Sequence, residues 1–374
     1  MSTDEVPDVP EAEPPEASVP REPAMSHRRR RIALRLVQVV GSFAIVAVLF
    51  AKVLPHVTGA DGHAIWAHLS RLSLMQLGAL VVVWLAGLWA YTWVLTGSLP
   101  GLTHAQALTL NLAGSAVSNL VSFGGAVGIG VTFAMAGSWG FRPGAITLST
   151  LVSGVWNVLA KLALPLLALV GLLVTGEIAN HRLVVASVIA ALILAVVVGA
   201  MVGALSSEAV ARVISRVVEW SGTHVLRLAR SEREIHWDTA VLDFRHRTVG
   251  LLRQGALSMS LGMVAYAFLQ ALLAWQCFRA VGSTLTVPEV FAGYAFGRLL
   301  TSVVVTPSGV GISELGAAAL LTSFGGDPAT TTAGVLLFSL FTYLIEIPVG
   351  ALGWLAWALW TPWRRPVSPL PEAA

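Results

Sequence analysis

Six stretches of this chain are each long and apolar enough to cross a bilayer, and they leave few choices of fold. They lie near Leu36–Leu54, Leu74–Thr96, Ile146–Val174, Leu183–Leu205, Gln254–Val281 and Thr331–Trp360. A helix needs about 20 apolar residues to span hydrocarbon. In lipid every backbone N–H and C=O must also find a partner within the protein. These runs predict an all-α polytopic membrane protein with about six full spans. With 56% hydrophobic and only 11% charged residues, the composition excludes a soluble enzyme.

Two further apolar stretches, near Ala105–Gly137 and Glu289–Ser323, are broken in the middle by glycine and proline, and they resemble each other. The first runs from Thr103, through Phe123-Gly124-Gly125-Ala126-Val127-Gly128-Ile129-Gly130, to Arg142-Pro143 and a long apolar helix. The second runs from Thr286, through Thr306-Pro307-Ser308-Gly309-Val310-Gly311-Ile312-Ser313, to Asp327-Pro328 and another long apolar helix. A shift of about 183 positions superposes Gly114 on Gly297, Gly128 on Gly311 and Ile129 on Ile312. A shift of about 185 then superposes Gly140 on Gly325, Pro143 on Pro328 and Lys161 on Glu346. Paired, interrupted segments in two halves of a membrane protein point to a transporter's binding site.

Charge sets the expected topology. His27-Arg28-Arg29-Arg30-Arg31 and Arg35 precede the first span, which reads as uncleaved with the N-terminus in the cytoplasm. Ser206–Thr248 carries seven arginines and Trp363-Arg364-Arg365 closes the last span, so both are also expected inside. These assignments agree only if Ala105–Gly137 dips in and returns on the cytoplasmic side and Glu289–Ser323 dips from outside. The two repeats are then inverted re-entrant segments, the arrangement behind alternating access.

The expected organisation is a tail over residues 1–32, a single transmembrane domain over 33–365 and a short tail over 366–374. Within the domain, repeat 1 covers about 103–174, a cytoplasmic connector about 206–252 and repeat 2 about 286–360. Residues 1–26, rich in Asp, Glu and Pro, cannot bury enough surface to fold. Cys277 is the sole cysteine, so no internal disulfide forms. No metal-ligand spacing, catalytic constellation or cofactor motif stands out. The glycine run 124–130 lacks the strand context of a nucleotide site. The chain is therefore not expected to be an enzyme, to hold a metal or cofactor, or to bind nucleic acid. In the connector, Val210, Val213, Ile214, Val217 and Val218 with Arg212 and Arg216 fit either an interfacial helix or an ordinary linker. Trp354, Trp357, Trp360 and Trp363 suggest an interfacial belt.

Charges inside a membrane are expensive and commonly functional. Lys161 lies mid-span, with Asn157 one turn earlier on its face, and Glu346 is its repeat equivalent in the last span. A buried Lys161–Glu346 pair locking the halves and direct substrate binding are both open. Arg298 lies in the first arm of the second broken segment and Glu314 begins its second arm. Arg298 can grip phosphate bidentately, or pair internally with Glu314. Asn111, Ser115, Ser118 and Asn119 form a polar stripe that either lines a headgroup path or bonds between helices. The breaks themselves, Gly124-Gly125 and Pro307-Ser308-Gly309, belong at the protein's centre, where non-helical backbone is tolerated.

Asn111 to Asn119, Gly124-Gly125-Ala126-Val127-Gly128, Trp139-Gly140-Phe141, Ser153 to Asn157 with Lys161, and Leu164-Pro165 together resemble the flippase-like transmembrane family of lysylphosphatidylglycerol synthases. Thr306 to Glu314 is similar to that family's Pro-Gly-Gly-x-Gly-x-x-Glu signature, with Ser308 in place of its second signature glycine. Ser313 stands where an arginine often precedes the glutamate, and Phe341 to Pro348 lacks the tyrosine–arginine pair of many relatives. The resemblance covers roughly Leu36 to Trp360. It implies translocation of a lipid or lipid-linked headgroup, anionic or polyprenyl-phosphate-linked, across the cytoplasmic membrane by a stand-alone member lacking the soluble synthase domain. The competing expectation is a non-transporting accessory subunit of a lipid-modifying enzyme or glycosyltransferase. A partner enzyme and a homo-oligomer both remain open.

Overall fold

The computed structural model describes residues 59, 61–120, 124–176, 181–206, 237–302 and 309–359. The expected first span, the arginine-rich stretch up to residue 236, Pro307, Ser308, Trp360 and Trp363 lie outside the described residues. Among the described residues all regular structure is helical. In chain order these are α1 Gly62–Ser70, α2 Leu74–Ser98, α3 His104–Leu120, α4 Gly124–Ser138, α5 Pro143–Val174, α6 His181–Ser206, α7 Trp237–Ala280, α8 Val287–Leu300, α9 Ile312–Ser323, α10 Pro328–Ser339, the π-helical turn Leu340–Leu344 and α11 Glu346–Leu359.

Four helical runs are long and apolar enough to cross a membrane: α2, α5, Arg247–Ala280 of α7, and the run Pro328–Leu359 from α10 to α11. They match four of the six spans read from the sequence. The fifth coincides with α6, whose described apolar part is the shorter Ser187–Ala200. α7 starts at Trp237, so the last third of the connector is helical and continuous with the span that follows.

Both broken segments are antiparallel helical hairpins. In the first, a Cβ on Gly128 would meet Ser118 Oγ and the Gly114 carbonyl, and one on Gly124 would meet the Ser118 backbone. Those residue numbers rise in α4 as they fall in α3, the mark of antiparallel arms. In the second, Gly293 faces Leu321, Gly297 faces Ser313 and Ala317, and Gly309 sits on Thr301. Small residues let each pair of arms approach closely without side chains between them.

The two hairpins begin alike. Thr103 N–H donates to Gln106 Oε1 at 3.0 Å while Gln106 N–H donates to Thr103 Oγ1 at 3.3 Å. Thr286 and Glu289 repeat this reciprocal cap at 2.8 and 3.4 Å. Each cap satisfies two donors that a helix start would otherwise leave open. They also end alike: Gly140 and Gly325 both turn the chain at φ +92°, and Pro143 and Pro328 then occupy the first turn of the next helix. There the missing N–H costs nothing.

Packing joins the halves crosswise. α2 and α7 share the most extensive contact. They run antiparallel, since Gly97 meets Gly255 and Met259 while Gly262 meets Ala90, Trp93 and Val94. Hairpin α3–α4 packs through α3 on α11, and hairpin α8–α9 packs through α8 on α5. Each hairpin thus leans on the long helix that closes the other half.

The tryptophans at the end of α11 differ from the expected belt. Trp354 Nε1 donates to the Ala113 carbonyl at 3.4 Å and Trp357 Nε1 to Ser138 Oγ at 2.9 Å. Both rings pack with the core around α3 and α4. Their N–H groups find protein acceptors, which draws them inward and fastens the first hairpin.

Candidate functional site: a polar cavity between the hairpins

A cavity of about 560 Å³ opens between α2, α3, α4, α5, α7, α8 and α11. Lys161 from α5, Arg298 from α8 and Glu346 at the start of α11 are the charged side chains that line it among the described residues. Asn157, Asn119, Ser118 and Gly125 line it too. Residues read from two separated halves of the sequence therefore converge on one polar space. Its position on the long apolar helices places it within the membrane.

The neutral wall is a connected set of amides and phenols. Asn157 Nδ2 donates to Tyr91 Oη at 2.7 Å and to the Ser153 carbonyl at 2.9 Å. The Tyr91 and Tyr266 rings lie 5.1 Å apart, and Gln270 Nε2 donates to Tyr266 Oη at 3.0 Å. These bonds fix Asn157 against α2, one turn from Lys161.

Glu346 is buried at 7% exposure. Asn119 Nδ2 reaches its Oε2 at 3.5 Å and the Tyr343 carbonyl at 3.3 Å, and Ser115 stands beside the same carboxylate. The π-helical turn just before it matters here. A π turn widens the helix locally and recurs at functional sites, and this one brings Thr342, Tyr343 and Glu346 onto one cavity wall.

Arg298 has the most unusual surroundings. Its Nε is buried and has no hydrogen-bond partner. The chain contains four tyrosines, and all four (Tyr91, Tyr266, Tyr294 and Tyr343) stand within electrostatic reach of this guanidinium. So does the Lys161 ammonium, a second cation. The Glu346 carboxylate is also within electrostatic reach, though beyond ion-pair distance.

Neither ion pair considered from the sequence forms within 4 Å among the described residues. Lys161 and Glu346 share the cavity without touching, because the Glu346 carboxylate is taken by α3. Glu314 instead turns back to its own helix start. It accepts from Gly311 N–H at 2.5 Å, Ser313 Oγ at 2.8 Å and Ser339 Oγ at 2.9 Å. It lines a small hollow of about 50 Å³ that lies behind Arg298 and shares Arg298, Thr301, Thr342 and Tyr343 with the main cavity. Its carboxylate ties α9 to α10 and holds the Gly309–Gly311 turn.

The break glycines divide by role. Gly125 is exposed on the cavity wall and a Cβ there would meet nothing within 4 Å. Gly124 is buried against the Ser118 backbone, and a Cβ added to Gly309, at φ +77°, would stand 2.7 Å from Thr301 Cα. These two are seats for the opposite arm. Pro307 and Ser308 lie outside the described residues. Sequence reasoning missed the tyrosines, Gln270 and the role of Ser115; the signal available was that every tyrosine falls inside an apolar stretch.

An apolar groove of about 740 Å³ runs along the other side of α5 and α7, bounded by α8. Trp156, Ala160, Leu164, Ala267, Phe268 and Phe291 line it. Neighbouring residues on α5 thus face different spaces: Asn157 and Lys161 the polar cavity, Trp156 and Ala160 the groove.

Among the described residues no group of three or more His, Cys, Asp or Glu side chains could hold a metal ion. A family model described as "Lysylphosphatidylglycerol synthase TM region" matches residues 38–350. No curated protein matches the chain.

Proposed function

This chain belongs to the lysylphosphatidylglycerol synthase TM-region family, and from that premise we propose that it carries a lipid headgroup across the cell membrane without chemical change. The observation that carries this reading is the polar cavity at membrane depth, in which Lys161, Arg298 and Glu346 converge from helices of both halves. Irregular backbone and charge at that depth persist where they line a path. The headgroup occupies the cavity while its acyl chains lie in lipid, with the apolar groove beyond α5 and α7 as their nearest protein surface.

Alternating access accounts for movement, and several features support inverted repeats. The capping boxes at Thr103 and Thr286, the turns at Gly140 and Gly325, and the glycine seats on Ser118 and Thr301 recur at matching positions. α2 and α7, the helices that precede the two hairpins, run antiparallel, which is what inversion requires of equivalent elements. With the arginine-rich segments inside, hairpin α3–α4 opens from the cytoplasmic face and hairpin α8–α9 from the outer face.

Purified protein in vesicles containing head-labelled lipids tests the reading. The expected result is faster leaflet exchange of at least one lipid class than in empty vesicles, slowed at least tenfold by Arg298→Gln. Exchange no faster than in empty vesicles for every phospholipid and polyprenyl-phosphate lipid tried would remove it.

A further inference from the structure

We infer that the cavity selects a headgroup carrying one phosphodiester charge and otherwise neutral hydroxyls, and that it excludes an aminoacylated, cationic headgroup. This deepens the transport reading and rests on it.

The first argument is charge. Lys161 and Arg298 bring two positive charges to the cavity and Glu346 one negative charge. Among the described lining residues two cations face one carboxylate, an excess of one positive charge, and no carboxylate lies within ion-pair distance of either cation. An unbalanced charge in a low-dielectric space is costly, and a bound counter-charge relieves it. One phosphodiester anion brings the cavity to neutrality. A zwitterionic headgroup leaves the excess in place, and a lysyl ester of a phosphodiester lipid, with two ammonium groups, enlarges it.

The second argument is placement. Lys161 and Arg298 lie within electrostatic reach of each other across the α5–α8 contact. Two like charges held together inside a membrane repel, and an anion between them turns that repulsion into two attractions. The unpartnered Arg298 Nε is the donor such an anion would take, since a guanidinium matches phosphate oxygens in a fork. The one carboxylate in the described lining, Glu346, is held toward α3 by Asn119 and is outnumbered by the two cations.

The third argument is the remaining surface. Asn111, Ser118, Thr132, Ser149, Ser153 and Gln270 line the same space. Hydroxyls and amides both donate and accept, so they complement a polyol or sugar without contributing charge. The shared chemistry, a phosphodiester bonded to a neutral polyol, occurs in glycerophospholipids and in polyprenyl-phosphate sugars.

The test is binding to the purified full-length protein in a neutral detergent, read by native mass spectrometry and by thermal shift. The probes are phosphatidylglycerol, phosphatidylinositol, a polyprenyl-phosphate hexose, phosphatidylethanolamine and lysyl-phosphatidylglycerol. Removing the charged partner of a hydrogen bond costs about ten- to hundredfold in affinity. At least one of the three monoanionic polyol lipids should bind about tenfold or more tighter than phosphatidylethanolamine and lysyl-phosphatidylglycerol. Preference for the glycerophospholipids or for the polyprenyl lipid supports the inference and identifies the source. Arg298→Gln and, independently, Lys161→Gln on another helix should each erase that preference; survival of the preference in whichever variant folds overturns it. Equal or tighter binding of lysyl-phosphatidylglycerol, with leaflet exchange intact, overturns the selectivity and leaves transport standing. Absence of both binding and exchange for every probe overturns the transport reading itself.

Discussion

Gly124 and Gly125 are neighbours of the same type that answer to different physics. A methyl group on Gly124 would strike the Ser118 backbone, whereas one on Gly125 would project into open space. Overpacking a tight contact costs about 1–3 kcal/mol. Gly124→Ala and Gly309→Ala should therefore each lower stability by about that amount, Gly309 also through its φ of +77°. Gly125→Ala should leave the melting temperature in detergent nearly unchanged. Comparable melting for all three would refute this division. Asp327, exposed at the start of α10, accepts from Thr330 N–H at 2.9 Å. That bond holds its carboxyl below the ordinary aspartate range. The stability it adds is present above the unfolded aspartate pKa, about 3.9, and is lost as pH falls through the lower folded value. Asp327→Ala should cost about 1 kcal/mol at neutral pH. Thermal melts should show the gap between variant and parent closing only in strong acid.

The elements most readable from sequence were the hairpins, because Gly128 sits where a Cβ would strike the opposite arm and Gly140, Gly311 and Gly325 turn the chain at φ +92°. Contacts between elements were less readable. Superposing the repeats matched Lys161 with Glu346, yet residues related by an approximate twofold are equivalent, and equivalence does not require touching. Which side chain meets Glu346 depends on how α3 seats on α11, and small residues such as Gly350 and Gly353 set that. The tyrosines escaped notice for a similar reason: four phenols on α2, α7, α8 and the π turn have no common spacing, and only folding gathers them around Arg298. The Glu314 clamp belongs to this scale as well. Glu314→Ala would strand the Gly311 N–H and the Ser339 hydroxyl in a buried hollow, whereas Ser313 keeps the Gly309 carbonyl. Each stranded donor costs about 1–3 kcal/mol, so the variant should be severely destabilised. Glu314→Ser with its neighbours unchanged should recover only part of the loss, because its short side chain cannot reach Ser339. Unfolding by denaturant measures both, and a wild-type midpoint for Glu314→Ala would show that the clamp holds nothing.

For the whole molecule, the proposed inversion of the two halves has a direct experimental signature. Arg142 and Ser323 lie at matching ends of the two hairpins, and both are exposed. Cys277 is fully buried, so an introduced cysteine supplies the reactive thiol. Arg142→Cys should react with impermeant reagent from the cytoplasmic face and Ser323→Cys from the outer face. Labelling of both from one face would contradict inverted halves. The charge bias that suggests this topology is plain in the sequence; the crosswise packing is not, since it emerges only when α11 and α5 are in place.

That crosswise packing also imposes an order in time. Asn119 on α3 finds its partner at Tyr343, 224 residues later in the chain. At about 5–20 residues per second of synthesis, the first hairpin waits roughly 10–45 s before α11 exists to receive it. During that interval its polar stripe faces a cavity that still lacks the α11 wall. A helix made more than 220 residues later is therefore the one that completes the first hairpin, and synthesis halted near residue 340 would leave a chain whose earlier half is still unsealed.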